Sequence, residues 1–77
     1  MSASQFFDRN FSGLKYDFKR TFNDKNGLLT YSIKDPESEH ANIFLFEFRE
    51  GKWETDNILN QEIKSFFIKE INLNESR

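Results

Sequence analysis

The sequence predicts a single small α+β domain over residues 1–77, with a helix, an antiparallel meander of three or four strands, and a C-terminal helix. Both helices are expected on one face of the sheet. Apolar and polar side chains alternate through the middle of the chain, with the period of two typical of strands. Turn-forming residues at Asn26-Gly27 and Glu50-Gly51 separate these stretches. Towards the C-terminus the apolar spacing becomes three and four, which is typical of a helix.

The first predicted element is a short helix over residues 3–12. Ser2 and Gln5 have the spacing of a capping box, in which each side chain bonds a backbone N–H group near the other residue. Phe7 and Phe11 are four residues apart and would lie on the same face of that helix.

The stretch LKYDFKRTF, residues 14–22, predicts a strand because its apolar residues fall at alternate positions. Arg20 interrupts the apolar face and is interpreted as an arginine near a strand end that reaches water over its apolar stem, with a partner carboxylate as the less favoured alternative. A rival prediction is one long helix from Phe7 to Phe22, since the apolar spacing also fits that period. Gly13 would then lie inside the helix, at a cost of about 1 kcal/mol relative to alanine. We favour the strand.

Two or three further strands follow. Residues 28–34 alternate in the same way, and Pro36 ends that strand because proline donates no ladder hydrogen bond. The stretch NIFLFEFRE, residues 42–50, is predicted as a central strand, and a short strand is expected around Trp53.

The central strand is apolar at consecutive positions, which raises the question of what covers its second face. Phe44, Phe46 and Phe48 are expected to face the helices. Ile43 and Leu45 then point to the opposite face of the sheet. They either stay exposed as isolated apolar residues, which is common, or form the centre of a contact surface.

The last predicted element is a helix over residues 56–72, with Thr55, Asp56 and Asn57 as candidate N-caps. Its apolar face comprises Leu59, Ile63, Phe66, Phe67 and Ile71. The remaining tail, NESR, is expected to fray.

Composition argues against several classes of protein. The chain has no cysteine and one histidine, which excludes disulfides and thiolate metal sites and disfavours a closed zinc site. We therefore expect no metal and no cofactor. No apolar run approaches the ~20 residues of a membrane span, and the N-terminus lacks a secretory signal pattern. A cytoplasmic protein without a membrane partner is expected.

Catalysis is not indicated by any constellation of side chains. His40 lies beside Glu37 and Glu39 in a polar loop, and a carboxylate next to an imidazole can orient a general base. No serine lies in a recognisable nucleophile setting, so we interpret His40 as a solvated loop residue and predict that the chain is not an enzyme.

The predicted function is that of a non-catalytic protein–protein interaction module, such as a small adaptor, inhibitor or immunity-type protein. Residues 35–62 contain eight acidic and two basic side chains, a balance that could complement a basic surface on a larger protein. A second copy of the chain is also a candidate partner. The predicted partner-binding residues are Ile43, Leu45, Glu47, Glu50, Trp53, Glu54, Glu37 and Glu39.

The alternative prediction is a small nucleic-acid-binding module. Aromatic side chains of a sheet can stack on single-stranded bases. The nearby basic residues are Lys15, Lys19, Arg20 and Lys34. The acidic residues between positions 35 and 62 would repel phosphate, so protein binding is favoured.

Overall fold

A computed structural model describes residues 3–37 and 43–77, and in these ranges it contains a five-stranded antiparallel sheet and one helix. The elements are β1 (Phe6–Phe11), β2 (Leu14–Asn23), β3 (Leu28–Lys34), β4 (Ile43–Arg49), β5 (Lys52–Glu54) and α1 (Gln61–Glu75). Each strand pairs with the next in the chain, so the sheet is a simple meander. Within these ranges no helix has both the length and the apolar character that a membrane crossing requires.

The predicted N-terminal helix is wrong, because residues 6–11 form the edge strand β1. Phe7 and Phe11 lie four apart, and since four is an even number they share one face of a strand as well as one face of a helix. Ser12 and Gly13 both have positive φ, 51° and 78°, and form a two-residue turn that returns the chain into β2. The proposed capping residue Ser2 lies outside the described residues.

The strand prediction for residues 14–22 is confirmed by β2, and the rival long helix is wrong. β2 is paired on both sides, with Phe18 opposite Phe7 on β1 and Ile33 on β3. Pairing on two sides satisfies the backbone groups of this segment, and its apolar face is buried against α1.

The strands after β2 are confirmed. The tight turn between β2 and β3 contains Gly27 with φ of 66°, and the Asn26 side chain accepts a hydrogen bond from the Leu28 N–H group at 2.9 Å. Glu50 and Gly51, with φ of 52° and 79°, form a two-residue turn between β4 and β5. The predicted short strand around Trp53 is β5.

The C-terminal helix exists but begins and ends later than the sequence predicted. Asn60 is its N-cap, and the Asn60 side chain accepts a hydrogen bond from the Glu62 N–H group at 2.8 Å. Thr55, Asp56 and Asn57 are therefore not N-caps. The helix continues to Glu75, so the expected fraying of the tail is wrong for this part.

The core lies between α1 and one face of the sheet. Its fully or almost fully buried members are Tyr16, Phe18, Tyr31, Ile33, Phe46, Trp53, Phe67 and Ile71. A single helix does not cover the whole face, because α1 ends near the row of the sheet that contains Tyr31. Phe22 and Phe48 lie in the next row and are 53% and 42% exposed. Trp53 of the same row is 8% exposed, because it packs against Tyr31 and bonds Asn72 on α1.

The opposite face of the sheet, here called the outer face, carries no second layer in the described part of the chain. The predicted orientation of β4 is confirmed, since Phe46 is fully buried while Ile43 and Leu45 are 54% and 42% exposed. One helix covers one face, and the expected arrangement of two helices on that face is wrong.

Candidate partner-binding site

A cleft of about 310 Å³ opens on the outer face, between β4 and the segment that follows β5. We call it the acidic cleft. It is lined by Ile43, Leu45, Glu47, Arg49, Glu54, Thr55, Asp56 and Asn57. Four of the predicted partner-binding residues are among them, namely Ile43, Leu45, Glu47 and Glu54.

The alternation of β4 builds one side of the cleft. Ile43, Leu45 and Glu47 are separated by two positions each, so all three point to the outer face. The register between β4 and β5 pairs Glu47 with Glu54, which places both carboxylates on that face as well. The cleft therefore has an apolar part and an acidic part side by side.

The segment after β5 builds the other side. The Asn57 side chain accepts a hydrogen bond from the Leu45 N–H group at 3.0 Å, which ties this segment to the edge of β4. The Thr55 hydroxyl accepts from the Asn57 N–H group at 3.1 Å and forms a tight local turn. These bonds fix the position of Asp56 beside the cleft. They also hold the segment in a turn, so the helix does not begin here.

The charges of the cleft are not balanced internally. Glu47 and Glu54 are directly opposite one another across two strands, an arrangement of like charges that is destabilising. Arg49 forms a salt bridge to Glu47. In the described ranges, no salt bridge involves Glu54 or Asp56. Two carboxylates thus remain available to a cation supplied from outside.

A metal ion is a poor match for this cation. Across residues 3–37 and 43–77, no three carboxylate or imidazole groups lie close enough together to hold one. The carboxylates instead border exposed aliphatic side chains. Such a surface is suited to the charged head and apolar stem of a lysine or arginine, whose side chain has both characters.

The remaining predicted site residues lie elsewhere. Glu50 is in the turn between β4 and β5 and is exposed. Trp53 points to the opposite face, where its indole N–H group donates to the Asn72 side chain at 3.1 Å. Glu37 follows β3; burial, with the charges of Asp35 and Glu37 nearby, raises the pKa of Tyr16. Glu39 lies outside the described residues, as does His40.

A second polar cluster lies at the C-terminal end of α1. Arg20 donates to the Glu75 carboxylate through Nε at 2.7 Å and Nη2 at 3.3 Å, and the Tyr31 hydroxyl donates to the same carboxylate. The favoured interpretation, that Arg20 reaches water, is therefore wrong, and the alternative of a partner carboxylate is the one that the structure has. Asn74 is 1% exposed and donates to the Tyr31 hydroxyl at 2.7 Å.

The titration of this cluster follows from its contacts. Burial of Tyr31, with the Glu75 carboxylate beside it, raises the pKa of Tyr31 to about 12. Burial opposes ionisation of Glu75, but the hydrogen bonds from Arg20 and Tyr31 outweigh it and lower the pKa of Glu75. The hydrogen bond to Glu75 raises the pKa of Arg20.

The polar groups of this cluster form hydrogen bonds with one another and with the backbone, which leaves no buried group among these described residues free to bind a ligand. Asn74 accepts from the Ser4 N–H group at 3.1 Å and donates to the Ser4 carbonyl at 3.0 Å. Its side-chain amide thus forms the pair of backbone hydrogen bonds that a neighbouring strand would form. In the described residues, every buried side-chain nitrogen and oxygen has a hydrogen-bond partner. We assign these residues a structural role.

Three residues that the structure places at the outer face were not predicted there from the sequence. Asp56 and Asn57 were expected to cap a helix, because acids and amides before an apolar period are typical caps. Phe6 was expected on a helix, yet it is 72% exposed at the edge of the sheet. Its neighbour Phe7 was a usable signal, because two adjacent phenylalanines in a strand must point to opposite faces.

Comparison of the chain with protein-family models, with curated proteins and with solved structures gave no match.

Proposed function

We propose that this chain is a non-catalytic protein-binding module whose acidic cleft receives a basic, partly apolar segment of a protein partner. The observation that supports the proposal most is the position of Glu54 and Asp56. Neither has a salt bridge within the described residues, and both border the exposed side chains of Ile43 and Leu45.

Electrostatics favour a cationic segment. Glu47 is already paired with Arg49. Glu54 and Asp56 have no salt bridge within the described residues, so a lysine or arginine placed beside them compensates negative charge that the free protein leaves unpaired. Complementary charge of this kind speeds the encounter of two proteins and selects among partners more than it sets affinity. Phosphate would be repelled from the cleft, which argues against nucleic acid as its ligand.

The apolar residues provide the second part of the argument. Ile43 and Leu45 are half exposed on a face that is otherwise mostly polar. A bound aliphatic or aromatic side chain would remove both from water, at about 25 cal/mol per Å² of apolar surface buried. The segment is therefore expected to combine a basic residue with an apolar one.

The test is affinity capture on the immobilised chain with matched variants. The cleft variant is Glu54→Gln/Asp56→Asn, and the control is Asp24→Asn/Glu62→Gln, which removes the same charge from exposed positions outside the cleft. A partner of the proposed kind binds the wild type and the control equally. The cleft variant binds it about tenfold more weakly, since two exposed ion pairs of ~0.7 kcal/mol each are lost.

The dissociation constant of each captured protein is measured at low and high ionic strength. The proposal requires affinity to fall with salt for the wild type, and to fall less for the cleft variant. Equal binding by the cleft and control variants would exclude the acidic cleft as the binding site.

A further inference from the structure

The outer face carries a projecting side chain as well as a cleft. Phe6 is 72% exposed, which is the largest exposed fraction among the large apolar residues of the strands in the described ranges. It lies on the outer face because Phe7 stacks on Phe18 in the core, with ring centroids 4.7 Å apart. The Lys19 ammonium is 6.0 Å from the centre of the Phe6 ring, so an aromatic ring and a cation project together.

The projection and the cleft lie in one row of the sheet. The register links Phe6 to Lys19, Lys19 to Ser32, and Ser32 to Leu45. β3 is the middle strand of the five, with Phe6 two strands away on one side. At ~4.8 Å per strand this is about 10 Å. The cleft extends from β4 to the segment after β5, which covers the same distance on the other side.

The surface is depressed at the centre of this row. Ser32 on β3 is small, and it contributes to a shallow depression of about 190 Å³ that also touches Phe6 and Ile43. Thr30 lies two residues before it on the same face. A surface with small residues at its centre, a projection on one side and a cleft at an equal distance on the other is complementary to itself under a two-fold rotation about β3.

We propose that the protein segment received by the acidic cleft is supplied by a second copy of this chain. The two outer faces meet about an axis along β3, so that Lys19 of each copy lies over Leu45 of the other and reaches Glu47 and Glu54 of its cleft. Phe6 of each copy lies one strand further out, at the side of the cleft formed by the segment after β5. This inference rests on the proposed function, because it uses the same cleft and names its partner.

Charge supports the second copy as the occupant. The projection carries a cation, and the cleft carries Glu54 and Asp56 without salt bridges in the described part of the chain. The rotation brings the two Lys34 side chains near the axis, and each keeps Asp17 as its cross-strand neighbour. Most of the remaining outer face is polar. Because few other apolar side chains are available there, the expected interface is small, and the association is weak and sensitive to salt.

The experiment is sedimentation equilibrium of the full chain, from micromolar to millimolar concentrations, at low and high ionic strength. The wild type is expected to change from monomer to dimer with concentration, and less readily at high salt. Phe6→Ala removes two symmetric contacts and is expected to weaken dimerisation about a hundredfold, roughly tenfold for each contact. Circular dichroism of the variant confirms that this exposed residue is not needed for folding.

Phe22→Ala is the matched control, because Phe22 is 53% exposed on the helix side of the same sheet. It is expected to leave the dimerisation constant unchanged. The charge pair is tested by Lys19→Glu, which should weaken the dimer, and by Lys19→Glu with Glu54→Lys, which should recover it. Recovery by the exchanged pair would be hard to obtain from any other interface.

Three results would overturn the inference. The first is a chain that stays monomeric at millimolar concentration and low salt. The second is a dimer whose dimerisation constant Phe6→Ala leaves unchanged. The third is a dimer that Phe6→Ala and Phe22→Ala weaken equally. A monomer that still captures a different protein through Glu54 and Asp56 would reject the second copy and retain the proposed function. Failure of both experiments would reject both.

Discussion

At the scale of single residues, the end of the chain is tied to its beginning by polar side chains. Glu75 bonds Arg20 on β2 and Tyr31 on β3, and Asn74 bonds the backbone of Ser4. The residues of each pair are 44 to 70 positions apart in the sequence. Their spacing along the chain has no period, which is why the sequence indicated a frayed tail there.

The Glu75 carboxylate is expected to contribute stability that depends on pH. Glu75→Gln should lower the free energy of unfolding at neutral pH by about 1–3 kcal/mol, since hydrogen bonds to an ionised group are lost. The pKa of Glu75 is lowered by folding, so its contribution is present above the unfolded value of about 4.3 and lost as pH falls towards the folded value. The measurement is urea unfolding of both proteins between neutral pH and about pH 3.

The difference between wild type and Glu75→Gln should therefore narrow as the solution is acidified below about pH 5. Glu50→Gln is the control, because Glu50 is exposed in a turn and should give a small difference at every pH. If the difference in free energy of unfolding between wild type and Glu75→Gln stayed constant with pH, the charge of Glu75 would not contribute to stability.

At the scale of elements, β1 shows how one spacing fits two structures. Phe7 and Phe11 satisfy both the helical and the extended period, and a turn of two residues with positive φ decides between them. Once Ser12 and Gly13 fold the chain back, β1 pairs with β2 over its whole length. A helix at this position would leave the edge of β2 without those hydrogen bonds.

The turn at Gly13 should be sensitive to backbone conformation rather than to volume. A Cβ atom placed on Gly13 meets no atom within 4 Å, but the φ of 78° disfavours an L residue. Gly13→Ala is expected to destabilise the protein by about 1–2 kcal/mol. Gly13→Asn should cost clearly less, because asparagine tolerates this conformation.

Urea unfolding of the two variants measures that difference. Equal losses for alanine and asparagine would mean that the turn does not require a left-handed residue. The same comparison at Gly51, in the turn between β4 and β5, provides a second case with φ of 79°.

At the scale of the whole molecule, one side chain connects the helix to most of the sheet. Phe67 is fully buried, and its ring lies 5.1 to 5.9 Å from those of its aromatic neighbours. These are Tyr16, Phe18, Phe44, Phe46 and Phe66. A domain with a single helix has no other element in its described ranges to cover this face.

Phe67→Ala is expected to cost about 3–5 kcal/mol, from lost burial and from the cavity it leaves. A domain of this length has a total stability of only ~4–12 kcal/mol, so the variant should be largely unfolded under mild denaturing conditions. Leu73→Ala, on the same helix but 53% exposed, is the control and should change stability by less than about 1 kcal/mol. Thermal unfolding followed by circular dichroism compares the two, and similar melting temperatures would contradict this view of the core.

The sequence by itself determined strands β2 to β5, the helix towards the C-terminus, and the face to which each residue of β4 points. Those features follow from local periodicity and turn chemistry, which act between residues close in the chain. Only the tertiary structure decided that β1 is a strand, that α1 begins at Gln61, and that Asp56 joins Glu54 at a cleft. These depend on hydrogen bonds between distant segments, such as that from Leu45 to Asn57, and such bonds leave no period in the sequence.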